Sequence, residues 1–162
     1  MASSTPARCS TERNPPGVNT APKPSLPELP HPHVLLFDGT CNLCNATVAF
    51  VLPRDRAARF RFLPIQSGRG QAIYRAAGLN PDHPGSLLLV TDSRMLLRSD
   101  AALEVARHLG WPWKLARVFQ VVPRFLRDAA YDLVARNRYR WFGYRDACLV
   151  PTPAVQDRFI KG

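Results

Sequence analysis

The sequence predicts an α/β domain with a βαβαββα core, followed by a C-terminal helical extension. Three observations carry that expectation. Short apolar runs of strand length recur between turn-forming residues. Between them lie segments of helix length, with glycine or proline at their ends. Beyond Gly110 the apolar residues Phe125, Ala129 and Leu133 recur at i, i+4 and i+8, a helical period.

Residues 1–32 come first, as a tail. Eight of the 16 prolines in the chain lie there. Proline fixes φ and lacks an N–H, so this Pro-rich stretch is expected to be disordered, with the folded domain running over 33–162. Val34-Leu35-Leu36-Phe37 reads as a buried strand, broken by Asp38-Gly39-Thr40. Cys41 to Leu52 then reads as a helix stopped by Pro53. Arg59-Phe60-Arg61-Phe62-Leu63 alternates polar and apolar, as a half-buried strand does. Gly70 to Ala77 is a helix with Gly78 as its C-terminal cap. Ser86 to Val90 is the next buried strand, and the turn Thr91 to Arg94 leads into Met95-Leu96-Leu97-Arg98. Ser99 is placed to cap a helix running to Leu109, with Asp100 near its positive end and Gly110 closing it. Pro112 and Pro123 each sit where a first helical turn tolerates proline, and so begin the extension. Strand–helix–strand units with a closing hairpin and helix match the thioredoxin-type architecture.

Composition excludes several classes. The 162 residues fit one domain, with no apolar run near the roughly 20 residues of a membrane-spanning helix. Four cysteines are too few for a disulfide-stapled secreted scaffold, and no signal-peptide apolar stretch precedes Pro30, so a cytoplasmic protein is expected. Residues 107–145 hold nine basic groups against two acids, Asp128 and Asp132. That balance suits an acidic protein partner and gives no reason to expect a membrane.

Chemistry concentrates in Phe37-Asp38-Gly39-Thr40-Cys41-Asn42-Leu43-Cys44. A Cys-x-x-Cys opening a helix after a strand is a redox context. Residues three apart on a helix lie about 5–6 Å apart, within reach of a disulfide. Cys41 starts the helix, where unpaired N–H groups stabilise a thiolate, and is expected to attack. Cys44, one turn further in, is expected to be better shielded and to resolve. Asp38 has two readings, a proton acceptor if burial raises its pKa and a cap for the turn at Thr40 or Cys41. A structural zinc site is the rival use of the pair. Its remaining ligands would have to come from Cys9, Cys148, His31, His33, His83 and His108, whose sole close pairing, His31 with His33, lies at the tail. No metal and no cofactor are therefore expected. Cys148 is read as a buried structural cysteine rather than a third redox thiol.

Asp38-x-x-Cys41-x-x-Cys44 in the setting VLLFDGTCNLCN resembles the DCC family of predicted thiol-disulfide oxidoreductases. The segments FRFLPIQS, RSDAALEVARHLG and YDLVARNRYRWFGYRDACLVPTP resemble later blocks of that family, so the likeness spans essentially His33 to Ile160. It implies a thioredoxin-like fold and dithiol chemistry at Cys41 and Cys44, on a thiol- or disulfide-containing protein or small molecule. Two departures from ordinary thioredoxins stand out. Gly39-Thr40 precede Cys41, so no tryptophan covers the thiol, and Pro84 is the nearest candidate for the cis-proline before the third strand.

Two other functions compete. Leu-Leu-Phe-Asp-Gly-Thr echoes a phosphatase strand motif, but the nucleophilic aspartate would fall at position 36, which is leucine. Arg136 to Arg145 mixes arginines with aromatics, the footprint of a nucleic-acid-binding or other basic interaction module. The preferred reading there is a packed helix end, its aromatics in the core and its arginines reaching water.

Overall fold

A run of four apolar residues, β2 (Val34–Phe37), has no polar face, and it takes an inner position in the sheet. The computed structural model describes residues 20–22, 29, 31–144 and 153–160. The other strands are β1 (Thr20–Pro22), β3 (Arg61–Pro64), β4 (Leu88–Val90) and β5 (Arg94–Leu97), in the order β1-β5-β4-β2-β3. β2 pairs parallel with β3 and antiparallel with β4, and β4 pairs antiparallel with β5. The parallel pair needs a crossover, supplied by α1 (Asn42–Val51). Helices α2 (Gly68–Ala76) and α3 (Arg98–His108) complete the predicted βαβαββα core. The fold is α/β, consistent with the thioredoxin-like expectation.

Side chains of β2 alternate between two cores, because successive residues face opposite sides of a strand. Val34 and Leu36 join Leu63, Ile73, Tyr74 and Leu88 on the α2 side. Leu35 and Phe37 join Val48, Phe62, Leu89 and Val105 on the side of α1 and α3. With both faces covered, β2 and β4 read as unbroken apolar runs rather than alternating ones. α2 approaches β3 closely at Gly70, where an added Cβ would lie 2.2 Å from the Pro64 carbonyl oxygen.

Three local expectations change. Thr20–Pro22, inside the stretch expected to be disordered, pairs antiparallel with β5, and Leu29 packs against the core. Ser99 lies inside α3 rather than capping it, and its hydroxyl donates to Asp128. Among the described residues the one cis peptide is Trp111–Pro112, so Pro84 is not the cis-proline. The expected helical extension is present and starts just after the two prolines, as a 3-10 segment, Trp113–Val121, followed by the long helix α4 (Arg124–Phe142).

The apolar stripe predicted for α4 faces outward, with Phe125 70% exposed and Leu133 also exposed. Its inner face is polar instead. Arg124 and Arg127 meet Asp100, Asp128 meets Ser99, and Asp132 meets Arg98. The Tyr131 hydroxyl accepts the Leu87 N–H at 2.9 Å, fixing α4 against the approach to β4.

Candidate active site

β2 delivers Phe37 into the core, and the chain turns through Asp38-Gly39-Thr40 into α1. Cys41 is the N-cap residue of α1, in extended backbone conformation, and its N–H donates to the Asp38 carbonyl at 3.2 Å. Gly39 is held on both sides: its N–H donates to Gln66 Oε1, and its carbonyl accepts from Asn45 Nδ2. Both thiols of the pair are free.

The environment separates the two thiols. Cys41 is pulled down to about 6, first by the Cys44 thiol directed at its sulfur, against the opposing effect of burial. The backbone N–H groups of Cys44 and Leu43 and the charge of Arg138 add to the lowering. These N–H groups act as the positive end of the helix, without closing a regular capping hydrogen bond. Cys44 is pushed far up by the same partnership with Cys41 and by burial. Burial weighs more heavily on the Cys44 thiol, as expected, although by whole-residue exposure the order is the opposite. Cys41 is 0% exposed and Cys44 partly exposed. The chain leaving α4 runs beside this turn: Tyr144 forms a backbone bridge with Cys41, and Asn42 Nδ2 donates to the Phe142 carbonyl at 2.9 Å.

Asp38 is 3% exposed and saturated with donors. Its Oδ1 accepts from the Thr40 N–H at 3.0 Å, the Thr40 hydroxyl at 2.7 Å and Gln66 Nε2 at 2.8 Å. Its Oδ2 accepts from Arg138 at 3.1 Å and from the Tyr139 hydroxyl. Burial alone would raise this carboxyl, but the hydrogen bonds of Tyr139, Thr40 and Gln66 overcome it and hold the group below the usual range. The condition for Asp38 as a proton acceptor, a raised pKa, is not met. The turn-capping geometry is present at Thr40.

Arg138 and Tyr139 are the residues that sequence reasoning missed. Arg138 was expected to reach water; it is 5% exposed, while Trp141 and Phe142 near the helix end are exposed. Arg138 has exchanged places with Trp141 and Phe142, whereas Arg136 and Arg140 reach water as expected. The one available signal was an arginine with no acidic neighbour from residue 133 to 145. Beside this cluster opens a cleft of about 980 Å³, lined by Thr40, Gln66, Pro84, Arg98, Arg138 and Tyr139 among others.

A family profile described as DCC1-like thiol-disulfide oxidoreductase matches residues 35–144. The chain belongs to this DCC1-like family. It is 42% identical over 127 residues to YuxK of Bacillus subtilis (strain 168), described as uncharacterized, covering 78% of this chain and 93% of that one. It is 40% identical over 116 residues to a chloroplastic DCC family protein of Arabidopsis thaliana, covering 71% of this chain and 67% of that one. No solved structure matches. The profile takes in Asp38, Cys41, Cys44, Arg138 and Tyr139, the residues that meet here. Cys9 and Cys148 lie outside the described residues. Among the described residues, no three His, Cys, Asp or Glu side chains gather as a metal site would require, and no helix is long and apolar enough to cross a membrane.

Proposed function

We propose that this DCC1-like chain is a thiol-disulfide oxidoreductase working through Cys41 and Cys44. The observation that carries the reading is the split between the two thiols at the start of α1, Cys41 lowered to about 6 and Cys44 raised. At neutral pH the pair then holds one thiolate and one thiol. The Cys41 thiolate attacks one sulfur of a substrate disulfide, and the other sulfur departs as a thiolate that takes a proton from water. Cys44 loses its proton and displaces the bound sulfur, closing the Cys41–Cys44 disulfide and releasing the second substrate thiol. Two electrons pass from the pair to the substrate, and two equivalents of an external thiol return them, leaving as their own disulfide. Asp38 serves here as the anchor of the turn, since a carboxylate with five donors is a poor proton acceptor. The neighbouring cleft falls in the volume range, about 300–1,000 Å³, of small-ligand sites.

Trapping tests the roles. Cys44→Ser is expected to accumulate mixed disulfides at Cys41, resolved by mass spectrometry after non-reducing separation, and Cys41→Ser to accumulate none. Full reductase activity in both single variants removes the pair from the chemistry. A cytoplasmic setting belongs to the proposal on composition alone. The Arabidopsis relative is chloroplastic by description, and imaging of the tagged full chain decides the compartment.

A further inference from the structure

We propose that Arg138 is a positioning residue of the dithiol site, fixing the Asp38 turn against α4 and lending its positive charge to the Cys41 thiolate. The inference rests on the thiol-disulfide reading for its purpose, but its test needs no disulfide exchange.

A buried guanidinium persists only where acceptors surround it, because removing it from water costs several kcal/mol. Arg138 is buried, and the two N–H groups of one terminal nitrogen are shared among Asp38 Oδ2, the Pro84 carbonyl and the Tyr139 hydroxyl, while its buried Nε has no partner among the described residues. Its guanidinium carbon also sits 4.6 Å from the Tyr139 ring centroid. Three segments far apart in the chain thus meet on one side chain: the turn before α1, the approach to β4, and α4. The contact repeats along two aligned stretches. Asp38 meets Arg138 and Tyr139, Cys41 meets Tyr144, and Asn42 meets Phe142. Arg138 is therefore where the C-terminal helix fastens to the cysteine turn.

Charge gives the contact a role beyond fastening. The titratable groups around the pair are Cys44 on α1, Asp38 in the turn, Arg138, Tyr139 and Tyr131 on α4, and Tyr74 on α2. Tyr139 is raised to about 12 and Tyr74 and Tyr131 are also raised, so all three stay neutral at working pH. Arg138 is then the cation in this group and Asp38 the opposing anion. Arg138 favours the thiolate at both cysteines, whereas Asp38 opposes it at Cys44.

The test is the pH dependence of iodoacetamide alkylation, with the product at Cys41 followed by mass spectrometry in the reduced full chain. Arg138→Gln is expected to move the Cys41 midpoint up, by on the order of one pH unit. Asp38→Asn is expected to move it down, because it leaves the Arg138 charge unopposed. Arg140→Gln, an exposed neighbour, is expected to leave it in place. A strut without an electrostatic role would loosen the turn in both site variants and shift them in the same direction. Shifts in the same direction overturn the proposal, as does a folded Arg138→Gln protein, checked by circular dichroism, with the wild-type midpoint. If Arg138→Gln does not fold, Asp38→Asn and Arg138→Lys decide. A lowered midpoint in the first and a near wild-type midpoint in the second support the proposal; a raised or unchanged midpoint in Asp38→Asn overturns it. Failure of disulfide exchange in the trapping experiment would leave these midpoints unaffected, so the two readings fail separately.

Discussion

Asp38 concentrates much of what the site requires in one carboxylate. Because its folded pKa lies below its ordinary value of 3.8, the unfolded chain binds the proton more readily. Its contribution to stability is therefore complete above that ordinary value and is lost as pH falls through the lower folded one. Urea unfolding should show stability dropping below about pH 4, and the drop should be shallower in Asp38→Asn. Asp38→Ala, which strands the Arg138 charge, should cost about 3–5 kcal/mol at neutral pH. A wild-type urea midpoint in Asp38→Ala would show that the buried pair does not contribute. At this scale the cysteines and the aspartate were legible, because their spacing has a chemical purpose that sequence displays. Arg138 was not legible. An arginine among arginines, in a segment rich in positive charge, looks like surface until its acceptors are located, and Asp38 is 100 residues away.

Strands β2 to β5 and the first three helices follow their patterns because apolar burial formed them. β2 and β4 sit inside two cores and show no alternation. α4 obeys a different rule. Its inward stripe comprises Arg127, Asp128, Tyr131, Asp132 and Arg138, with the exposed Arg124 pairing to Asp100 at its start, and it docks through hydrogen bonds and ion pairs. Hydrophobic periodicity therefore locates the helix and inverts its orientation. The chain at the end of α4 is also tied beside Cys41, through the Tyr144 bridge and the Asn42–Phe142 bond. Asn42→Ala should loosen that tie. Alkylation of Cys41 at a pH well above its midpoint should quicken several-fold, with the midpoint itself unmoved. An unchanged rate would show that the Asn42 bond does not limit access to the sulfur.

Across the whole molecule, the sheet is extended at one edge by Thr20–Pro22 on β5, and Leu29 packs on the core. A chain shortened to residues 33–162 should still unfold cooperatively, since the described cores lie almost wholly beyond residue 33. Its urea midpoint should be lower than that of the full chain, because the β5 edge is bared. Loss of cooperativity would show that the leading segment is required for folding, and an equal midpoint would show that β1 contributes nothing. Proline density concealed this strand. Three residues ending in Pro22 carry no periodicity, and an edge position is where a strand tolerates proline.

The 100 residues that separate Asp38 from Arg138 also set an order of events during synthesis. At roughly 5–20 residues per second, the ribosome adds Asp38, Cys41 and Cys44 about 5–20 s before it adds Arg138. Throughout that interval both cysteines are present while the cation of α4 and the bridge to Tyr144 are not. The nascent chain carries its thiols in a less acidic, less enclosed form and reaches its finished electrostatics only when the last long helix settles.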